Sequence, residues 1–231
     1  MVQPTGPSLP GRLIALEGGE ASGKTTQAAR LAASLGALAT REPGGTALGE
    51  GLRALLLEAR DLEVASRAEA LVVLADRAQH VAEVVAPALA AGHWVVTDRY
   101  AGSTLAYQGY GRGLAVDELV WLSTWATGGV GADLTILLDV AVPEIDRRRA
   151  ERPRHTDRLE DEEGRFHALV ADGYRALAAA DPVGWAVVDG SGSVEDVAAR
   201  VVAVVDRRLG PLPGDTGRGT RPVGGPGAPD G

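Results

Sequence analysis

The stretch Gly18-Gly19-Glu20-Ala21-Ser22-Gly23-Lys24-Thr25 decides the fold of this chain. It fits the pattern G-x-x-x-x-G-K-[ST] of a phosphate-binding loop (P-loop), directly after the apolar run 13–16 and before a helix-compatible segment. Glycines let such a loop fold back, so that consecutive N–H groups and the positive end of the next helix face the phosphates. We expect residues 18–25 to bind nucleotide phosphates, with Lys24 reaching the β- and γ-phosphates and Thr25 holding Mg²⁺.

Two features of the sequence favour this interpretation over a glycine-rich turn with an incidental lysine. Apolar residues recur at helical spacing, at Ala28, Leu31, Ala32 and Leu35. This spacing predicts a helix over residues 24–35 that stops at Gly36. Lys24 is also the single lysine among 23 basic residues. Because every other cation is arginine, we infer that this position needs a compact, rotatable ammonium group.

Composition excludes several classes of protein. The chain has 231 residues, of which 45% are hydrophobic and 23% charged, as in an ordinary soluble globular protein. Its net charge of −8 argues against a general nucleic-acid or anionic-membrane surface. There are no cysteines, which excludes disulfides and thiol catalysis. We see no signal peptide and no apolar run of membrane-spanning length, and therefore expect a cytoplasmic protein.

The chain divides into a flexible N-terminal arm (1–10), one working domain (11–209) and a Gly/Pro-rich tail (210–231) that we expect to be disordered. Inside the domain, short apolar runs alternate with helical patterns. Five strands are predicted, at residues 13–16, 37–40, 94–97, 134–138 and 185–188. This alternation predicts an α/β fold with a parallel sheet covered by helices on both faces, whose ligands bind beyond the carboxyl ends of the strands.

Two of these strands end in an aspartate, Asp98 and Asp139, and either carboxylate suits Mg²⁺ held directly or through water. The alternative for each is a strand-end cap or a solvated carboxylate. Asp98 is favoured because Arg99 follows it, and the two side chains together can serve the metal and the transferring phosphoryl group. The predicted metal ligands are therefore Thr25 and Asp98.

The helix that follows residue 61 carries a capping-box pattern in Ser66-Arg67-Ala68-Glu69. We expect Pro87 to kink this helix and Gly92 to end it.

Two loops remain ambiguous on their residues alone. Arg41-Glu42-Pro43-Gly44-Gly45-Thr46, with Arg53 shortly after it, fits an ordinary turn and helix start. Tyr107-Gln108-Gly109-Tyr110-Gly111-Arg112-Gly113 fits either a site that reads a planar base or a flexible turn.

Six arginines lie between residues 147 and 158, a local excess in an acidic protein. They are Arg147, Arg148, Arg149, Arg152, Arg154 and Arg158. One interpretation is a solvated helix face paired with nearby carboxylates. The other is a closing lid that brings guanidinium groups to the transferring phosphoryl group and excludes water.

Taken together, these segments resemble the thymidylate kinase family over about residues 13–200. The segments that carry the resemblance are 17–26, 41–46 with Leu52-Arg53, 75–80, 98–100, 106–109 and 111–113. The resemblance implies a P-loop NTPase fold with an arginine-rich lid at about 147–158. It also implies transfer of the ATP γ-phosphoryl group to dTMP on a Mg²⁺-dependent homodimer.

The resemblance also implies roles for individual residues. Lys24, Glu20 and Arg99, with Arg152 and Arg154 from the lid, match catalytic positions. The residues that match the acceptor-binding positions are Arg53, Val73, Arg77, Arg99, Ser103, Thr104, Tyr107 and Gln108. Among them, Arg53 and Arg99 correspond to arginines on the acceptor phosphate, and Arg77 to one near the thymine. Tyr107 corresponds to the ring that crowds out a ribose 2′-hydroxyl.

The chain departs from the family at Val73, where a phenylalanine commonly stacks on the thymine. Loss of the ring weakens the expected base affinity and leaves a related kinase for another nucleoside monophosphate as an alternative. A second alternative is a P-loop nucleotide switch without a small-molecule acceptor.

Overall fold

A computed structural model describes residues 10–58, 62–141, 144–145, 147–148, 158–159, 162 and 164–210. Its centre is a five-stranded parallel sheet in the order β2-β3-β1-β4-β5. The strands are β1 (Leu13–Glu17), β2 (Leu38–Arg41), β3 (Val95–Asp98), β4 (Leu134–Asp139) and β5 (Trp185–Asp189). All five predicted strands are confirmed to within one residue at each end.

Helices cover both faces of the sheet. The longer ones are α1 (Lys24–Leu35), α2 (Ala47–Leu57), α3 (Ser66–His80), α6 (Val116–Ala126), α7 (Gly164–Ala180) and α8 (Val194–Leu209). The short ones are α4 (Ala86–Ala90) and α5 (Ala101–Thr104), and π-helical turns span Val81–Val85 and Leu105–Gly111.

The central strand β1 shows why both faces are covered. Ile14 and Leu16 pack with α1 and α8 on one face, whereas Leu13 and Ala15 pack with the segment 81–89 on the other. All five residues of β1 are buried. A strand that buries both faces reads as a continuous apolar run, which is why the sequence predicted it well.

The strand register brings the carboxyl ends together at one edge. Leu16 and Arg41 both lie opposite Asp98, because β3 sits between β1 and β2. The P-loop follows β1 at this edge and α1 begins at Lys24. The predicted helix 24–35 is confirmed, and Gly36 ends it in the left-handed conformation with φ 61°.

The predicted capping box at the start of α3 is wrong. Ala65 is the N-cap residue and makes no side-chain cap, while Ser66 is already helical. Glu69 is fully buried and bonds to distant side chains, so it is unavailable to the helix end. A capping box occurs instead at α8, between Ser193 and Asp196.

The same helical segment passes through the π-helical turn Val81–Val85 into α4, which contains Pro87. Pro87 has no N–H to donate to a carbonyl four residues earlier, so an altered hydrogen-bond pattern before it is expected. Gly92 follows the end of α4 with φ 82°, as the sequence predicted.

Several predictions fall outside the described residues. These are most of the N-terminal arm, the tail beyond residue 210, and residues 149–157 of the arginine-rich segment, including Arg152 and Arg154. Within the described ranges, no helix combines the length and the apolar character needed to cross a bilayer.

Candidate active site

The P-loop has the backbone that a phosphate cradle requires. Gly18 and Gly23 have φ values of 151° and 91°, which residues with a Cβ atom rarely adopt. A Cβ added to Gly18 would lie 2.9 Å from the carbonyl oxygen of Leu138, so β4 leaves no room for a larger residue. The loop therefore packs tightly on the sheet and presents its N–H groups at the start of α1.

Lys24 is held in this loop with its side chain buried. Its Nζ donates to the carbonyl oxygen of Gly19 at 3.2 Å. Burial, together with the nearby Arg99 guanidinium, lowers the pKa of Lys24 to about 7. Phosphate oxygens bound beside this ammonium would favour its charged form, so the position suits an anionic ligand.

The side-chain oxygens of Thr25 and Asp98 lie together beside the P-loop. Thr25 Oγ1 donates to Asp98 Oδ2 at 2.5 Å. Asp98 Oδ1 is buried, and no described residue bonds to it. A buried carboxylate oxygen without a partner, beside a hydroxyl at the P-loop, fits Mg²⁺. No group of three His, Asp or Glu side chains among the described residues suits a metal, but Mg²⁺ binds through one or two protein oxygens plus phosphates and water.

The alternative carboxylate, Asp139, has a different environment. It accepts hydrogen bonds from Arg175 at 2.9 and 3.2 Å and is partly exposed. The structure therefore places Asp98, and not Asp139, against Thr25.

Arg99 lies between the P-loop and the helix that follows β3. Its backbone has φ 74°, a strained conformation for a residue with a side chain. Nη1 donates to Gly18 O at 3.3 Å, Ser103 Oγ at 3.0 Å and the Tyr174 hydroxyl at 3.0 Å. Nη2 donates to the Tyr107 hydroxyl at 3.1 Å. These contacts fix the guanidinium group where β1 and β3 end.

Glu17 supports this arrangement from below and was missed by the sequence analysis. It is fully buried and accepts bonds from Tyr100 N, Ser103 N, Ser103 Oγ and the Tyr174 hydroxyl at 2.6–3.0 Å. Burial raises the pKa of Glu17 above its ordinary value. The available signal was a carboxylate that ends a wholly apolar strand directly before the P-loop.

Arg77 is held by a second buried carboxylate. Its Nε donates to Glu42 Oε2 at 2.8 Å, and its two terminal nitrogens donate to Thr104 Oγ1 and Tyr100 O at 2.9 Å each. His80 also contacts Glu42, at 2.9 Å. Glu42 was seen in the sequence only as part of a turn, and its role depends on α3 packing against that turn.

One cavity joins most of the predicted site residues. Those that line it are Glu20, Ala21, Gly23, Lys24, Thr25, Arg53, Val73, Arg77, Asp98, Arg99, Ser103, Thr104, Tyr107 and Gln108. The P-loop and the Thr25–Asp98 pair lie at one end, and the residues of α3 and of the segment after β3 lie at the other. Lysine and arginine side chains at five positions line this space, which suits two phosphorylated ligands: Lys24, Arg41, Arg53, Arg77 and Arg99.

The arginine-rich segment divides into distinct environments. Arg147 is exposed and pairs with Glu144, as the solvated-face interpretation expected. Arg148 donates to the carbonyl oxygens of Ala21, Ser22 and Gly190 at 2.8–3.3 Å. It thus ties the P-loop to the loop after β5, where a second cavity lies beside Ser22 and Gly23. Arg158 bonds to the buried carboxylate of Glu69 at 2.7 Å.

Comparisons with known proteins agree with this geometry. A sequence profile described as "Thymidylate kinase" matches residues 16–201. The chain belongs to the thymidylate kinase family.

Relatives in this family match the chain over nearly their whole length. A thymidylate kinase of Synechococcus sp. (strain JA-3-3Ab) is 51% identical over 201 residues, covering 85% of this chain and 96% of the relative. One from Leifsonia xyli subsp. xyli is 48% identical, covering 87% and 97%. The crystal structure of thymidylate kinase from Ehrlichia chaffeensis matches with a TM-score of 0.69 and 30% identity, covering 84% of this chain and 98% of that one. The P-loop fold expected from the sequence is confirmed.

Proposed function

We propose that this chain transfers the γ-phosphoryl group of ATP to dTMP, giving ADP and dTDP. The observation that carries the proposal is the shared cavity. Lys24 and the P-loop lie at its donor end, Arg77 and Gln108 lie at its acceptor end, and Arg53 and Arg99 also line it. Family membership supports the same activity.

The acceptor phosphate needs no general base, because its second pKa is near ~6 and it is mostly deprotonated at neutral pH. Catalysis then consists of positioning and neutralisation of charge. Lys24 carries charge to the donor phosphates, while Arg53 and Arg99 bind the acceptor phosphate. Mg²⁺, held by Thr25 and by Asp98 directly or through water, would supply further charge neutralisation.

Arg152 and Arg154 complete the proposed catalytic set from the lid. They lie outside the described residues, and the sequence resemblance is what supports them. Glu20 and Tyr107 line the cavity and are assigned to the sugar of the acceptor on the same ground. A cytoplasmic location, expected from the sequence, is part of this proposal.

We further propose that the chain forms a homodimer through α6 and the adjacent face of α3. Trp121 and Trp125 on α6 are 66% and 73% exposed, and Leu71 on α3 is 59% exposed. The two helices pack against each other. Large apolar side chains gathered on neighbouring helices are typical of an interface.

Light scattering on the wild type and on a Trp121→Glu, Trp125→Glu double variant tests the dimer. We expect a dimeric wild type and a monomeric variant, and a monomeric wild type would refute the proposal.

A coupled assay of ADP release with a panel of nucleoside monophosphates tests the activity. We expect dTMP to be phosphorylated with the highest kcat/KM. A faster reaction with another monophosphate would favour the related kinase that Val73 leaves open. Release of ADP that no monophosphate accelerates would favour the nucleotide switch.

A further inference from the structure

A buried carboxylate at Glu69 collects four hydrogen bonds from three side chains. Gln108 Nε2 donates to Oε1 at 2.9 Å. Arg112 donates to both oxygens, at 3.2 and 3.0 Å, and Arg158 donates to Oε2 at 2.7 Å. Glu69 is fully buried on α3 and does not line the cavity. The proposed mechanism gives this residue no role.

The neighbours of Glu69 keep it ionised. Burial, the largest single cause, acts to raise its pKa, but the hydrogen bonds from Arg112, Gln108 and Arg158 together lower the pKa below its ordinary value. An ionised carboxylate only accepts hydrogen bonds. Gln108 can therefore bond to Glu69 only through its NH₂ group, and the reversed amide would bring two oxygens together.

This orientation turns the other end of the Gln108 amide away from Glu69. Gln108 lines the cavity, and no described residue donates a hydrogen bond to its carbonyl oxygen. Arg77 lines the same end of the cavity and, as a guanidinium, can only donate. Arg77 and Gln108 thus offer a base one donor and one acceptor whose roles cannot be exchanged, whereas the Ser103 and Thr104 hydroxyls in the same lining can take either role.

Thymine matches this pair and cytosine does not. On adjacent atoms thymine presents a carbonyl oxygen, O4, and a donor, N3–H. Cytosine presents an amino donor and an unprotonated N3 at the same places. A site whose polar groups cannot reverse leaves them unpaired against the wrong base.

We propose that Glu69 is a positioning residue that fixes the Gln108 amide with its carbonyl oxygen towards the cavity, so that the site selects a pyrimidine with a protonated N3. This inference rests on the proposed function, since it assigns the basis of base selection within that site. Glu69 does not contact the substrate itself. It acts through Gln108, and Arg112 and Arg158 hold it in the acceptor-only state.

The test is steady-state kinetics of Glu69→Gln with dTMP, dUMP and dCMP as acceptors. A glutamine at this position can donate to the Gln108 carbonyl oxygen, which frees the amide to reverse. We expect the ratio of kcat/KM for dTMP over dCMP to fall by about tenfold or more, mainly through the KM for dTMP. The dTMP over dUMP ratio should stay within about twofold, because both bases present N3–H beside a carbonyl.

Glu162→Gln is the matched control. Its carboxylate bonds to Arg112 at 2.6 Å, as that of Glu69 does, but none of its described contacts reaches Gln108. Both selectivity ratios should match those of the wild type. An equal loss of dTMP over dCMP selectivity in this control would overturn the inference.

The inference also fails if Glu69→Gln keeps the wild-type dTMP over dCMP ratio, or if both ratios fall together, as they would in a loosened pocket. If this variant does not fold, Gln108→Ala provides the test. A lower ratio of kcat/KM for dTMP over dCMP supports the inference, and an unchanged ratio overturns it. A wild-type chain that leaves dTMP unphosphorylated defeats the proposed function itself, which separates the two failures.

Discussion

The two ends of the cavity are built in different ways. At the donor end, a glycine-rich backbone, one lysine and the start of α1 face the phosphates, and these groups lie within eight consecutive residues. At the acceptor end, several side chains are supported by buried carboxylates from distant parts of the chain. Glu17 supports Ser103, a partner of Arg99, while Glu42 bonds to Arg77. The donor end therefore depends on local backbone, and the acceptor end depends on tertiary packing.

Removing the ammonium group at the donor end should have the largest effect. Lys24→Ala is expected to lower kcat by roughly 10³-fold, because the proposed mechanism uses this ammonium group to carry charge to the donor phosphates. Thermal unfolding should change little, since the Nζ atom makes one hydrogen bond to the described residues, to Gly19 O. A coupled assay of ADP release measures the rate. Turnover close to that of the wild type would contradict the assignment of the donor end.

At the acceptor end, Arg99→Ala is expected to lower kcat/KM for dTMP by roughly 10²-fold while the KM for ATP changes little. The reason is that Arg99 contacts Ser103, Tyr107 and Tyr174. Its described bond to the P-loop is to the carbonyl oxygen of Gly18, and not to an N–H group that could face a phosphate. Kinetics with each substrate varied in turn separates the two effects. A variant impaired for ATP alone would place Arg99 at the donor end instead.

Breaking a carboxylate support should cost stability as well as activity. Glu42→Gln leaves the buried Arg77 without its ion pair, which we expect to cost about 3 kcal/mol. The melting temperature should fall by roughly 10 °C. The exposed pair Arg41–Glu50 provides the control, since Glu50→Gln should have almost no effect. Equal melting temperatures for Glu42→Gln and the wild type would show that the acceptor end does not depend on this carboxylate.

The smallest expected effect is a pH dependence of the free energy of unfolding, which comes from Asp76. Burial, assisted by the nearby Glu42, raises the pKa of Asp76 to about 6, although the Gly44 N–H bond opposes this. In the folded state Asp76 then keeps its proton to a higher pH than in the unfolded state. The free energy of unfolding therefore falls as the pH rises from ~4 to ~6. Asp76→Asn should reduce this fall by roughly 1 to 2 kcal/mol. Denaturant unfolding at pH 4, 5, 6 and 7 measures it, and parallel profiles for both proteins would refute the prediction.

The same contrast explains what the sequence could predict. The P-loop, α1 and the strands follow from local patterns, because the buried central strands β1, β3 and β4 are largely apolar and a glycine ends α1. The buried carboxylates that support the acceptor end do not follow from local patterns. Tyr174 lies 75 residues beyond Arg99, and no local pattern links them. Glu69 even gave a false capping signal, because a glutamate three residues after a serine fits that pattern whichever way its side chain points.

The resemblance to a family supplied roles that local patterns could not. It placed Arg77 and Gln108 at the acceptor, and both line the cavity with Arg99. It could not reveal which carboxylates hold them, because those contacts depend on how α3 packs against the turn after β2 and the segment after β3. Arg152 and Arg154, outside the described residues, stay predictions.

The most direct test of two separately built ends is calorimetric titration of dTMP without ATP into the wild type, Lys24→Ala and Arg99→Ala. We expect saturable binding to the wild type, an affinity within about threefold of it for Lys24→Ala, and a loss of at least about tenfold for Arg99→Ala. No saturable binding to the wild type, or equal losses in both variants, would contradict it.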